Sequence, residues 1–529
     1  MQDLIDSGIP DPVAYYSDLV RQMNLEDRRI KEENKVRQIA ASPERYLGYF
    51  LLQNIYDSLH VSNYLDLMQS VRGFRFNLSG LMEALIYSRV VDPRSKSRTC
   101  HDILPKLYES YGLSYDQILD AVEYMGHEYE KIIEIFNHQI SLKYPMDAST
   151  TYFDCTNFYF EIDREDELRK KGPSKENRHD PIVGLGLLLD ANQIPIGMKL
   201  YPGNESEKPI IGQVIKELKA RNQISGRTVQ VADKGLNCAS NIISALKSKD
   251  GYLFSKSVKQ LPETEKVWVL LEDGYKKVTD SHGTLLYEIK DCIDEFPYAY
   301  TDESGKKHTV RLKEKRVVTY NPKLAEKKKY EINRMVEKAK MLKASQAKRS
   351  EFGECSKYVT FGCADQTGNA IDGKVRVAIN QDAIDRDLEL AGYNLFVTSE
   401  TKMKADDIYT TYHNLWRIEE SFKVMKSYLD ARPVYLQKTA SIHGHFLICY
   451  LSVLLIRLLQ FKVLKNKYCT EKLIKFIREF RVVELEKDKY LNITASSDFI
   501  KSLAAELELP LTNYFLNESQ IKKMLKHSF

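Results

Sequence analysis

Several features that would place this chain in a familiar class are missing. Its eight cysteines (Cys100, Cys155, Cys238, Cys292, Cys355, Cys363, Cys449 and Cys469) are scattered, with no Cys-x-x-Cys pair. That argues against a zinc ribbon and suits a reduced cytosolic setting. The first residues, MQDLIDSGIPDP, carry three aspartates and no Lys or Arg, so they do not read as a secretory signal. No long uninterrupted apolar run exists. The longest, FLICYLSVLLIRLLQF from Phe446, is broken by Arg457 and is short for a membrane span, so a buried core helix is expected and no membrane partner. There is no low-complexity block, and no strong charge of one sign. The 78 basic and 74 acidic residues leave a net charge of +4, which neither demands nor excludes a nucleic-acid partner.

What is present changes texture along the chain. At 529 residues it has room for three or four domains of roughly 150 residues each. Residues 1–145 show apolar residues at three-and-four spacing and few strand signals, which predicts a helical N-terminal region. Its basic residues (Arg72, Arg75, Arg89, Arg94, Lys96, Arg98) would allow DNA contact and equally suit an ordinary solvated surface.

Over 146–255 the pattern turns strand-like. TTYFDCTNFYFEI, PIVGLGLLLD and IPIGMKLYPG read as three strands. KPIIGQVIKELKAR then reads as a helix, TVQVAD as a strand, NCASNIISALKS as a helix capped by Asn237, and GYLFSKS as a strand. Three antiparallel strands followed by alternating helices and strands predict a mixed α/β sheet in the order of an RNase H-like core. In such a sheet the first strand lies centrally beside the fourth, so Asp154 and Asp233 could meet at one edge.

Residues 256–390 form a β-rich insertion, with VWVLLE among its predicted strands. One strongly basic helix, about 322–344, interrupts it and carries Lys328 and Arg334 as candidate phosphate contacts. The mixed pattern resumes over 391–465, and 466–529 reads as a small helical tail suited to dimerisation. Within the resumed core, ADDIYTTYHNLWRIEESFKVMKSYLD reads as one long helix. Its buried stripe (Ile408, Tyr412, Leu415, Glu419, Phe422, Lys426, Leu429) contains a glutamate and a lysine where a core needs neither.

Two aspartates on adjacent strands repel by roughly 4 kcal/mol at about 4 Å and an effective dielectric near 20. Such a pair needs a proton or a cation, and carboxylates joined by substrate phosphates suit Mg²⁺. Taken singly, each aspartate would more often than not be an ordinary strand-end residue capping a turn. A third carboxylate, Glu419, arrives on the helix after the fifth strand.

YFDCT, VADKGL and the Tyr412–Glu419–Lys426 spacing of YHNLWRIEESFKVMK resemble the three catalytic blocks of DDE transposases. The resemblance is to the bacterial insertion-sequence-four superfamily, in the branch with RPVY after the glutamate block, here Arg432 to Tyr435. SKENRHDPIVGLGLLLD and YPGNESE resemble its linking segments, and the resemblance spans about 146–460.

The resemblance implies that Asp154, Asp233 and Glu419 are the catalytic, metal-binding triad, holding two Mg²⁺ ions, with Mn²⁺ as a substitute. It also implies that Tyr412 and Lys426 lie along the transposon end. The signature Arg is absent: Leu415 stands there, and Arg417 lies about 200° around the helix from it. Arg417, Lys423 and, by residue type, Trp268 are further candidate DNA contacts, although Lys423 could instead pair with Glu419 on the helix surface.

The implied activity is cleavage of transposon ends and joining of their 3′-hydroxyls to target DNA. The implied partners are the terminal inverted repeats, read by the helical N-terminal region, target DNA, and a second copy in a synaptic dimer. The protein would be cytoplasmic in a bacterium, nucleoid-associated when bound to DNA. Two other readings stand beside this one: an RNase H-like nuclease without strand transfer, and a transposase derivative that binds DNA without cutting it.

Overall fold

The computed structural model describes residues 8, 10–41, 43–74, 76–175, 179–205, 207–221, 226–302, 304–345, 348–362, 376–486 and 488–529. Arg75, residues 176–178 of SKENRHD, Ser206 of YPGNESE, and Cys363 lie outside them. The chain divides into two units. One gathers Met1–Pro145, Phe158–Arg164 and Ser421–Phe529; the other gathers Met146–Asn157 and Glu165–Glu420.

The first unit is built around the helix Thr439–Arg457, which is apolar on every side and buried along almost its whole length. With the wider turn that follows it, this segment is long and apolar enough to cross a membrane, yet 83% of its apolar window is packed inside the protein. That is the expected buried core helix. It crosses Tyr115–His127 at two glycines that let the backbones touch. A Cβ on Gly444 would stand 1.9 Å from the Val122 carbonyl oxygen, and one on Gly126 would stand 1.6 Å from that of Ala440. Backbone cannot yield as a flexible side chain can. Gly444→Ala is therefore expected to lower stability by about 3 kcal/mol or more, measured by urea denaturation; a loss below about 1 kcal/mol would show that the crossing relaxes.

The tail departs from the expectation of an all-helical segment. Arg481–Glu486, Lys489–Asn492 and Phe515–Asn517 are strands, and Glu44–Tyr46 pairs with the first of them to make a four-stranded antiparallel sheet. The two ends of the chain thus share one unit. Pairing between segments so far apart leaves no mark in local periodicity.

The second unit holds a nine-stranded mixed sheet. Its strands are β1 (Thr150–Tyr159), β2 (Ile182–Leu189), β3 (Pro195–Pro202), β4 (Val229–Ala232), β5 (Gly251–Lys256), β6 (Lys276–Thr279), β7 (Leu285–Thr301) and β8 (Lys307–Tyr320). A separate two-stranded sheet contains β9 (Val359–Gly362) and β10 (Arg376–Ile379), and β11 (Tyr393–Thr398) returns to the large one. The spatial order is β3-β2-β1-β4-β5-β11-β8-β7-β6. β1, β4 and β5 run parallel, and β11 is antiparallel to both β5 and β8. Helices Glu207–Arg221 and Ala239–Lys247 contribute Ile211, Val214, Ile215 and Ile242 to a core shared with Phe153, Phe254 and Val397.

The insertion is not a separate sheet: β8 pairs with β11, so β6–β8 extend the central one. VWVLLE is helical, within Glu263–Leu270, and not a strand. Pro262 precedes it, and Glu263 and Glu265 sit in its first turn, a favourable helix start that outweighs the β-branched residues. The basic helix is Pro322–Ala344, capped by Asn321, with Ala325, Ile332, Val336 and Ala339 buried. Asn237 does not cap the helix after β4. Its side-chain amide donates to the Ser255 carbonyl at 2.8 Å, and Cys238 occupies the capping position.

Candidate active site

The site begins with strand register. Thr150 pairs with Val229, Thr151 with Gln230 and Tyr152 with Val231 across the parallel β1–β4 pair. Carried two residues further, just past the end of β4, the same register would set Asp154 opposite Asp233, and the Tyr412 hydroxyl lies within reach of both charges. Neighbouring strands lie about 4.8 Å apart and paired residues of a parallel ladder point to the same face. In β1, where both faces are covered, Asp154 is the one interior position that is not buried. One of its carboxylate oxygens accepts the backbone N–H of Cys155 at 2.8 Å.

Tyr412 closes this corner. Its hydroxyl donates to Asp233 Oδ1 at 3.0 Å, and its ring packs on Phe396 of β11 with centroids 4.5 Å apart. Burial, then the charge of Asp233 and, more weakly, that of Asp154 push its pKa well above the usual tyrosine range, while Ser255 acts the other way. The hydroxyl therefore stays protonated and remains a donor. Asn414, two residues on, approaches the buried Tyr152 hydroxyl on β1 and partly offsets the effect of burial on it. The segment carrying Tyr412 is thus tied to the Asp233 strand by a hydrogen bond and lies close to β1. Tyr412→Phe, which removes only the donor, is expected to weaken metal-dependent activity about 10–100-fold, as loss of a ligand-orienting partner does. The check is a Mg²⁺ titration of cleavage: an unchanged metal requirement would remove Tyr412 from this role.

The long helix expected here is broken. Ala405–His413 ends at a turn through Asn414 and Leu415, Trp416–Lys423 begins anew, and Val424–Tyr428 is a wider π turn. The seven-residue stripe drawn for one regular helix therefore does not continue through Lys426. Leu415, Ile418, Phe422 and Leu429 are buried, while Glu419 is exposed.

Glu420 takes Arg417 instead, at 3.1 Å, and the Arg417 guanidinium lies 3.8 Å from the centre of the Trp416 ring. Lys423 is exposed, and neither it nor Glu419 joins an ion pair among the described residues. The Lys426 ammonium lies 5.3 Å from the centre of the Phe158 ring. Trp268 is partly buried against the core, with the Lys290 ammonium bonded to its carbonyl at 2.6 Å. Lys328 and Arg334 are exposed on the basic helix, Lys328 paired with Glu331 at 2.7 Å.

The structure therefore brings Asp154, Asp233 and Tyr412 together. It does not gather Glu419 with them: among the described residues no three His, Cys, Asp or Glu side chains form a metal-ligating group. The aspartate pair still has the chemistry of a divalent-cation site, since two adjacent hard carboxylates need a counter-charge.

A further cleft lies in the same unit, lined by residues outside the sequence prediction. It has a volume of about 430 Å³ and is bounded by Asn157, Pro173, Lys175, Gly203, Asn204 and Gly235. The Lys175 ammonium donates to the Cys155 carbonyl, next to Asp154. Its only sequence signal was its place in SKENRHD.

Comparison with known proteins bears on this geometry. The family model described as "Transposase DDE domain" matches residues 162–455, more than half of the chain. Asp233, Tyr412, Glu419 and Lys426 fall inside the match, and Asp154 precedes it. No curated protein matches. Among solved structures, the cryo-EM structure of the piggyBac transposase synaptic complex with hairpin DNA is similar with a TM-score of 0.37 and 10% identity, over 81% of this chain and 77% of that one. A likeness that remote has no bearing on residue roles.

Proposed function

This chain belongs to the transposase DDE domain family, and we propose that it cleaves transposon ends and joins the freed 3′-hydroxyls to target DNA with two divalent metal ions. The observation that carries the reading is the Asp154–Asp233 neighbourhood, with Tyr412 bonded to Asp233. We read the core as RNase H-like. The order β3-β2-β1-β4-β5, with β1, β4 and β5 parallel, supports that assignment.

Asp154 and Asp233 would hold the cation, and Glu419 enters as the third carboxylate on its spacing from Tyr412. Bound Mg²⁺, or Mn²⁺ in its place, supplies Lewis-acid stabilisation of charge on the scissile phosphate. The chain's own residues do the positioning. Tyr412 holds one oxygen of Asp233, and Lys175, bonded to the Cys155 carbonyl, places a positive charge on the strand residue after Asp154. On this reading the helical N-terminal region recognises terminal inverted repeats, a synaptic homodimer performs the reaction, and the protein works in the bacterial cytoplasm on nucleoid DNA.

Incubation with a labelled terminal-repeat duplex, a target plasmid and Mg²⁺ tests the proposal. Strand-transfer products are expected. Cleavage without transfer would favour the RNase H-like nuclease. Leu415 at the signature Arg position keeps a non-catalytic DNA-binding derivative as the second reading, and binding with no metal-dependent cleavage would establish it.

A further inference from the structure

The first unit contains a cleft of about 850 Å³ walled by two stretches far apart in sequence, 89–98 and 430–445, together with Tyr115. Arg89, Arg94, Lys96, Arg98 and Arg432 line it against one carboxylate, Asp430. Clusters of this kind are ordinarily solvated, but two of these cations are inside the protein: Arg89 is 6% exposed and Lys96 7%. Arg89 is satisfied by backbone, donating to the carbonyls of Leu429 at 3.4 Å and Arg94 at 3.1 Å. Arg94 pairs with Asp92 at 2.8 Å, and the Arg432 guanidinium lies over the Tyr159 ring.

Lys96 is different. Its ammonium has no hydrogen bond or ion pair among the described residues. Burial, reinforced by Arg89, brings the amine down to about 7, with the Cys449 thiol acting in the opposite sense. The same two cations, after burial, hold the neighbouring His445 well below the ordinary histidine range. An uncompensated cation in the interior is costly unless a partner arrives to pair with it.

We propose that this cleft binds a phosphate group through Lys96, Arg98 and Arg432, and that in the working protein the phosphate belongs to a DNA backbone. The group would give Lys96 its missing counter-charge, and the exposed Arg98 would reach it from the mouth of the cleft. The DNA half rests on the transposase reading; the phosphate half rests on the cleft alone. Pro433, Val434 and the exposed Tyr435 form an apolar rim beside the cations, which suits the sugar flanking a backbone phosphate.

The test compares the full-length protein with Lys96→Met, which keeps the length of the side chain and removes its charge. Inorganic phosphate should raise the Tm of the wild type and leave that of the variant unmoved. Affinity for a short duplex should fall about tenfold at low salt in the variant, and the slope of log K against log salt should fall by about one. Without ligand, the variant should be as stable as the wild type or more so, because an unpaired buried charge has gone.

An unchanged phosphate response, or a variant less stable than the wild type without ligand, would overturn the proposal and make Lys96 a packing residue. A phosphate response with unaltered duplex binding would overturn its DNA half and assign the cleft to free phosphate. None of these readouts measures strand transfer, so failure of the transposase reading and failure of this one are told apart.

Discussion

Asp154→Asn and Asp233→Asn are each expected to reduce DNA strand cleavage by ~10³-fold or more, while DNA binding persists. The magnitude follows from the several kcal/mol of transition-state charge stabilisation that a metal site supplies, at about 1.36 kcal/mol per tenfold. The stability of the metal-free protein separates this role from a structural one. Two carboxylates one strand spacing apart repel by roughly 3 kcal/mol at an effective dielectric near 20, so removing one charge should leave the melting temperature unchanged or higher. Were the aspartates turn caps, Asp154→Ala and Asp233→Ala would instead destabilise by about 1 kcal/mol, because Ala cannot cap where Asn can. Thermal melting without metal, run beside the cleavage assay, decides: a clear loss of Tm with cleavage intact would sink the assignment.

Glu314→Ala is expected to lower stability by about 3–5 kcal/mol, the range for breaking a buried ion pair by removing one partner. Glu314 on β8 is fully buried and accepts hydrogen bonds from the hydroxyls of Tyr252 at 2.8 Å and Tyr298 at 2.6 Å, and from Arg316 Nε at 2.8 Å. Arg316 is itself buried and reaches on to Glu265 at 2.5 Å. Burial, then the Glu314 charge, hold both tyrosines above their ordinary range, so they remain donors.

The network joins β5, β7 and β8, and so fastens the insertion to the core sheet. Removing the carboxylate strands two hydroxyls and leaves a guanidinium short of charge in the interior. Glu314→Gln keeps the shape and should recover part of the loss. Urea denaturation gives the number, and a loss below about 1 kcal/mol for Glu314→Ala would show that water replaces the carboxylate.

Local pattern was enough for much of this protein. The five strands of the first core segment and the basic helix from Pro322 were legible because β-branched runs and three-and-four spacing are properties of neighbouring residues. The match over residues 162–455 agrees with the transposase resemblance that YFDCT, VADKGL and the Tyr412–Glu419 spacing already carried. The burial of Thr439–Arg457 was readable for the same reason, since a helix apolar on all sides has nowhere else to go.

Tertiary structure alone decided the rest. That Asp154 stands beside Asp233 depends on the register of β1 on β4, which long-range packing sets and no window of sequence contains. The break at Asn414–Leu415 arises because Tyr412 answers to Asp233 on the sheet, whereas Leu415 and Ile418 are drawn into the interior. The insertion reads as a separate piece until β8 pairs with β11, and the tail reads as helical until Glu44–Tyr46 gives its strands an edge. Lys96, one basic residue among many in the sequence, acquires its chemistry only when folding buries it without a partner. Sequence by itself determined which residue types and local elements this protein has; their charges became neighbours, or lost their partners, only through contacts between segments far apart in the chain.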